Sequence, residues 1–380
     1  MSGHRIDADE ETEKFRSRIR AWLQDNVPDE QLPNDFRERW ESMRAWQRKL
    51  SSAGWVALSY PVEFGGQGLG VVEEAILSEE MARAGAPPTL PLGHLGRPLL
   101  THGTDAQRQR YLKKLLSAEE IWCQGFSEPS AGSDLAGLRT RATKLDDGFL
   151  LSGQKTWTSY GIFADMALVL ARTGEISERH RGISAFLVSL TLPGITVRPI
   201  VLANGDEEFA EIFFDDVKVP LDSLLGELGQ GWEIAMATIG YERGAVDTGY
   251  QVRFSGFVRE LVSELVRSGR TDDSAALQEV GRSITLVEVM GYQCHRSVGE
   301  RASGRSPGPE ASIDKLLMTK VEQELLASAL EVTSDALGET ATKWFDRYLY
   351  GRAASIYGGS AQIQKNILAL RVLDLPRTRV

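Results

Sequence analysis

The spacing of apolar residues predicts an α+β chain in three consecutive regions: helical over 1–119, β over 120–225 and helical again over 226–380. Two observations predict it. The apolar repeat shortens from helical spacing to short alternating runs near residue 120, then lengthens again near 226. Helices and strands also stand in separate blocks, which excludes a Rossmann or TIM-barrel arrangement. In the first block Phe15, Ile19, Trp22 and Leu23 mark one helical face, ended by "NVP". Phe36, Trp40, Met43 and Leu50 mark a second, ended by "AGW", and "VVEEAILSEEMARAG" is a third that closes on Gly85 as its C-cap. The middle block reads as strands in "GFLLSGQKTWTS", "ADMALVLART", "ISAFLVSL", "GITVRPI" and "AEIFFDDVKVP", each bounded by turn residues. Long helical patterns return in "SITLVEVMGYQCHRSV" and "IDKLLMTKVEQELLASALEVTSDAL", separated by the long turn "SGRSPGPEAS". Near the end, "SIYGGSAQIQKN" is a loop that turns into a helix, with Ser360 as N-cap before Ile363, Ile367 and Leu370.

A chain of 380 residues with 42% hydrophobic and 25% charged content is long enough for two or three packed regions of ordinary globular type. Its net charge of −10 argues against non-specific nucleic-acid binding. Cys123 and Cys294 stand far apart, and His4, His94, His102, His180 and His295 show no metal spacing, so no metal site is expected. The polar, acidic start "MSGHRIDADEETEKF" does not read as a signal peptide, and no apolar run approaches membrane-spanning length. A cytoplasmic setting without membrane insertion is the expectation.

Three stretches could carry chemistry. "CQGFSEPSAGSDLAGLRTRA", 123–142, leads from a strand into a Ser/Gly/Asp-rich loop, either an amide nest with Ser127 and Ser133 as hydroxyl donors or a plain turn. "GQKTWTSYG", 153–161, sets Trp157 among small polar residues, either as cover for a flat ligand or as a half-buried sheet aromatic. "IGYERGAV", 239–246, puts Glu242 and Arg243 in an apolar helical pattern, where a carboxylate is either a desolvated base or an exposed residue on the polar face.

In this order, the stretches resemble the acyl-CoA dehydrogenase family. "FSEPSAGSD" is similar to its T-E-P-x-A-G-S-D flavin signature, "GQKTWTSYGIFADMALVLART" to its G-x-K-x-W-I-T-N-G strand pair, and "IYGGSAQIQKNILALRVLDLPR" to its closing segment. The resemblance extends to "GWVALSYPVEFGGQGLG" and "EIFFDDVKVPLDSLLGELGQGW". It implies an N-terminal α-helical domain, a middle β-barrel-like domain and a C-terminal four-helix-bundle domain, with FAD lying between the last two. It further implies dehydrogenation of an acyl-CoA to the trans-2-enoyl-CoA, with electrons passed to an electron-transfer flavoprotein. By the same resemblance Phe126, Ser127 and Ser133 border the flavin, Trp157 covers its ring and Ser159 reaches toward N5, while Gly359, Ser360 and Gln362 bring the last helix against it. Ser133, Arg243 and Tyr357 are the implied substrate contacts.

Many relatives carry the catalytic Glu directly after the Tyr of the closing motif; here that position is Gly358. Other branches, isovaleryl-type enzymes among them, carry it on an internal helix just before an Arg, which matches Glu242–Arg243. The resemblance therefore implies Glu242 as base, and Gly358 as a backbone donor to the thioester oxygen that leaves room for bulk. Two family motifs are altered: "VRSGRTDDSAAL" stands where R-x-x-F-G is common, and "DALGETATKWF" where a Gly-Gly loop is common. Both would touch a neighbouring subunit's FAD, so a homo- or hetero-oligomer, dimer or tetramer, stays open. So do two other readings: a flavin oxidase or monooxygenase on the same fold, and a non-catalytic subunit of a heteromer.

Overall fold

The computed structural model describes residues 9–30, 32–241, 245–305, 308–334 and 337–376; for 241 and 245–247 it describes the backbone. The helices before the sheet are α1 (Glu10–Asn26), α2 (Phe36–Ser52), α3 (Val71–Arg83), α4 (Leu92–His102) and α5 (Asp105–Leu116). Asp9 caps α1, Asp35 caps α2, and Thr104 with Gln107 forms a capping box on α5, so each start has a side-chain acceptor for its unpaired amides. Gly85 closes α3 at a φ of 66°, as the C-cap reading requires.

The strands are β1 (Trp122–Gly125), β2 (Arg141–Lys144), β3 (Gly148–Ser159), β4 (Met166–Arg172), β5 (Ile183–Ser189), β6 (Ile195–Ile200), β7 (Phe209–Pro220) and β8 (Leu224–Leu225). Among the described residues they form one sheet in the order β6-β7-β3-β2-β4-β5-β8, with β1 parallel to β4. Its core gathers Cys123, Phe149, Leu151, Val169, Phe186 and Ile212. β4 is buried at every position, as a central strand covered on both faces must be.

The chain ends in α6 (Gly231–Tyr241), α7 (Ala245–Arg267), α8 (Ser274–Ala302), α9 (Ala311–Val332), α10 (Glu339–Gly351) and α11 (Ala361–Arg371). Contacts divide the elements into two compact units. One holds the sheet with α2, α4, α5 and α6; the other holds α7 to α11 together with α1 and α3. In the helical unit α7, α8, α9 and α10 share a core of Phe254, Leu261, Val287, Leu325 and Trp344. α3 lies along α7, where Thr248 Oγ1 donates to Ala75 O at 3.2 Å. A Cβ on Gly249 would run into Ser78 Oγ and come within 3.2 Å of Ser78 O, so any larger residue there would force Ser78 to shift.

One charged cluster inside this unit has no signature in the apolar pattern. Arg16 on α1 is fully buried and pairs with Glu79 at 2.8 Å and Glu80 at 2.5 Å, both on α3. Arg20 adds a contact to Glu80 at 2.6 Å. Among the described residues no helix is long and apolar enough to cross a membrane, and no group of His, Cys, Asp or Glu could hold a metal ion.

Candidate active site

β1 leads through buried Phe126 into the loop that carries half-buried Ser127 and exposed Ser133. Ser127 O accepts from Thr156 N at 2.9 Å, which joins the first polar stretch to the second. On β3 the pairing with β7 slips between Lys155, opposite Ile212, and Thr158, opposite Ala210. Thr156 and Trp157 therefore face Glu211 alone, a β-bulge. Strict alternation would put Lys155 and Trp157 on the same face. The extra residue separates them: Lys155 is fully buried and Trp157 is 58% exposed. Trp157 accepts a φ of 57° for this, an uncommon conformation for a bulky residue. Phe209 meets the indole edge-on, centroids 6.0 Å apart, and Ser159 pairs with the same Phe209 across the ladder.

A buried ion pair holds this edge from behind. Lys155 Nζ donates to Glu128 Oε1 at 2.8 Å and to Phe126 O at 3.2 Å. Glu128 also accepts from the Arg139 and Thr140 amides at 2.7 and 2.8 Å. Burial raises the Glu128 carboxyl, but the Lys155 charge and these hydrogen bonds outweigh it and hold the group below its ordinary value. Burial pushes the Lys155 ammonium down, and Glu128 opposes the shift. Neither residue stood out as functional in the sequence. The signal was available: a lysine inside a buried strand needs an acid, and each motif supplies one charge.

In the helical unit the closing loop runs through Tyr357, Gly358 and Gly359 to Ser360, whose Oγ accepts from Ile363 N at 3.3 Å to cap α11. Gly358 and Gly359 sit at φ 61° and 88°, in the left-handed region. Fully buried Gln364 donates Nε2 to Gly358 O at 3.2 Å and Gly359 O at 3.3 Å. Gln362 is exposed, so the glutamine that holds the turn is the second of the "QIQ" pair. Lys315 Nζ stands 4.1 Å over the Tyr357 ring, a cation–π contact joining α9 to the loop. Gly359→Ala is expected to lower stability by about 1 kcal/mol, because alanine resists positive φ; a thermal melt checks it. Glu242 and Arg243 lie outside the described residues.

The sequence model of the acyl-CoA dehydrogenase N-terminal domain matches residues 9–119, that of the middle domain 123–217 and that of the C-terminal domain 229–373. The chain belongs to the acyl-CoA dehydrogenase family. Acyl-CoA dehydrogenase IpdE1 of Mycolicibacterium smegmatis is 38% identical over 97% of this chain and 98% of its own. (2S)-Methylsuccinyl-CoA dehydrogenase of Cereibacter sphaeroides is 30% identical over 96% of this chain and 70% of its own. The ChsE4–ChsE5 complex from Mycobacterium tuberculosis superposes with a TM-score of 0.82 at 26% identity, covering 98% of this chain and 100% of that one. The helical–β–helical order expected from the residues is thus the acyl-CoA dehydrogenase fold. The chain is an oxidoreductase acting on acyl-CoA, with FAD as its cofactor.

The β unit fits that cofactor. An indole turned out of the sheet at the cost of a strained φ, with Ser159 two residues on and Ser127 hydrogen-bonded through its carbonyl to the neighbouring Thr156 amide, offers an apolar face with hydroxyl-bearing residues near it to a flat polar ring system. The structure thus brings Ser127, Trp157 and Ser159 together. Ser133 lies farther along an exposed loop, where Asp134 pairs with Arg179 at 2.9 Å.

Proposed function

We propose that this chain converts an acyl-CoA thioester to its trans-2-enoyl-CoA, with Glu242 as the base and an electron-transfer flavoprotein as electron acceptor. The observation that carries the reading is the bulge on β3, which exposes Trp157 directly beside the loop of Ser127. Phe126, Ser127, Ser133, Trp157 and Ser159 are assigned to the flavin, as are Gly359, Ser360 and Gln362 of the helical unit. When bound, FAD supplies the two-electron acceptor for the reaction. The Glu242 carboxylate takes the proton from the α-carbon. The Gly358 backbone N–H donates to the thioester oxygen and so stabilises the charge that develops there. Tyr357, Ser133 and Arg243 bind the substrate. Gly358 adds no side chain, which suits a branched or ring-bearing acyl group. The working form is an oligomer, a dimer or tetramer of this chain or of this chain with a related one. The name of the ChsE4–ChsE5 complex joins two such designations.

The test is anaerobic titration of the yellow protein with a panel of acyl-CoA esters. Bleaching of the flavin followed by slow recovery in air is expected; rapid recovery in air would make the protein an oxidase instead. Colourless protein that takes up no FAD would leave it a non-catalytic subunit. Trp157→Ala is expected to weaken FAD retention on dilution. Its indole is largely exposed, so apoprotein stability should move by no more than about 0.5 kcal/mol. Unaltered FAD affinity would remove Trp157 from the site.

A further inference from the structure

His94 lies in the first turn of α4, and its side chain is hydrogen-bonded to that of Gln124 on β1. Both residues keep part of their surface accessible, although the positions around them on the helix and strand are mostly buried. Gln124 precedes Phe126 by two residues, so along an extended strand its backbone stands about 7 Å from that of Phe126, at the edge assigned to the flavin. α4 also packs against α6. The pair is therefore tied through β1 to the loop assigned to the flavin. Beside it, Gly93 is exposed, and a Cβ there would meet no atom within 4 Å.

An acyl pocket for plain alkyl chains has no use for two polar side chains at such a place. Each carries donors and acceptors that lose water when an apolar chain covers them. Resting on the dehydrogenase reading above, we propose that His94 and Gln124 form a polar specificity pair and select acyl-CoA esters whose acyl group carries a hydroxyl or ketone oxygen beyond the β-carbon. The chemistry of the pair narrows the ligand further. Burial pushes the imidazole down to about 4, against the pull of the hydrogen bond with Gln124, so at neutral pH the ring is uncharged. An uncharged imidazole and an amide suit a neutral oxygen and give no counter-charge to a second carboxylate. The glutamine amide can donate to a ketone or hydroxyl, and the ring can donate or accept according to its tautomer.

The test compares hexanoyl-CoA, 5-hydroxyhexanoyl-CoA and 5-oxohexanoyl-CoA by anaerobic flavin bleaching, with kcat and KM measured separately for each. Wild-type holoenzyme is expected to prefer the oxygenated esters by about tenfold or more in kcat/KM, mainly through KM. Gln124→Leu and His94→Phe should each cut that ratio to less than about threefold while FAD absorbance shows the holoenzyme intact. Gln124→Glu removes the amide donor and should lose the ketone more than the hydroxyl. A wild-type enzyme that handles hexanoyl-CoA as well as its oxygenated counterparts overturns the proposal and leaves the dehydrogenase reading standing, as does an unchanged ratio in folded variants. Absence of bleaching by every ester, with FAD bound, overturns the dehydrogenase reading and this proposal with it.

Discussion

Glu242→Gln is expected to slow flavin bleaching by acyl-CoA about 10²–10⁴-fold while the bound FAD absorbance stays in place. Glutamine keeps the size and polarity of the side chain and removes only its capacity to take a proton. A loss confined to the reductive step therefore isolates the base. KM should change little, because the carboxylate acts at the α-carbon and does not anchor the CoA. A rate within about tenfold of wild type would mean that another group takes the proton. Adding Gly358→Glu to the same protein gives a second reading. That position has a φ of 61°, so a side chain there is strained. Partial recovery of turnover in a less stable protein is expected if the two positions serve one α-carbon.

Lys155→Met is expected to destabilise the β unit by about 3–5 kcal/mol, because it leaves the Glu128 carboxylate buried without its cation. Thermal melts of the apoprotein would show this directly. Lys155→Met combined with Glu128→Gln should recover much of the loss, since an uncharged amide costs less to bury. The single variant should also retain FAD poorly, as the Phe126 carbonyl loses its donor next to the Ser127 loop. The pair carries a pH dependence with a definite sign. Glu128 is held below its ordinary value of 4.5, so its contribution is complete above that pH. It is lost as the pH falls below 4.5 and through the lower folded value. An apoprotein whose midpoint stayed flat on acidification through this window would contradict the assignment.

Much of the architecture was legible from periodicity, because strands such as β3 and β4 and helices such as α2 bury a regular face. "GFLLSGQKTWTS" marks β3 from Gly148 to Ser159 without error at either end. What periodicity could not carry was the bulge. One additional residue between Lys155 and Thr158 reverses which side chains face inward, and no turn residue announces it. The charged interior was hidden for a related reason. Arg16, Glu79, Glu80, Glu128 and Lys155 add nothing to an apolar repeat, and their burial follows only from partners that come from other elements. At the closing loop the two glycines were informative, since paired left-handed positions favour them. Which glutamine of "QIQ" turns inward depends on the rotation of α11, which the motif does not specify.

The placement of α3 beside α7, with α1 packed on α3, bears on how the chain comes off the ribosome. Both early helices are finished long before α7 is translated, and until then the α3 surface meant for Thr248 and Gly249 has nothing to cover it. The nascent chain should therefore call on chaperones during synthesis of the whole middle segment, and fragments cut at the borders of the family domains should aggregate instead of folding separately.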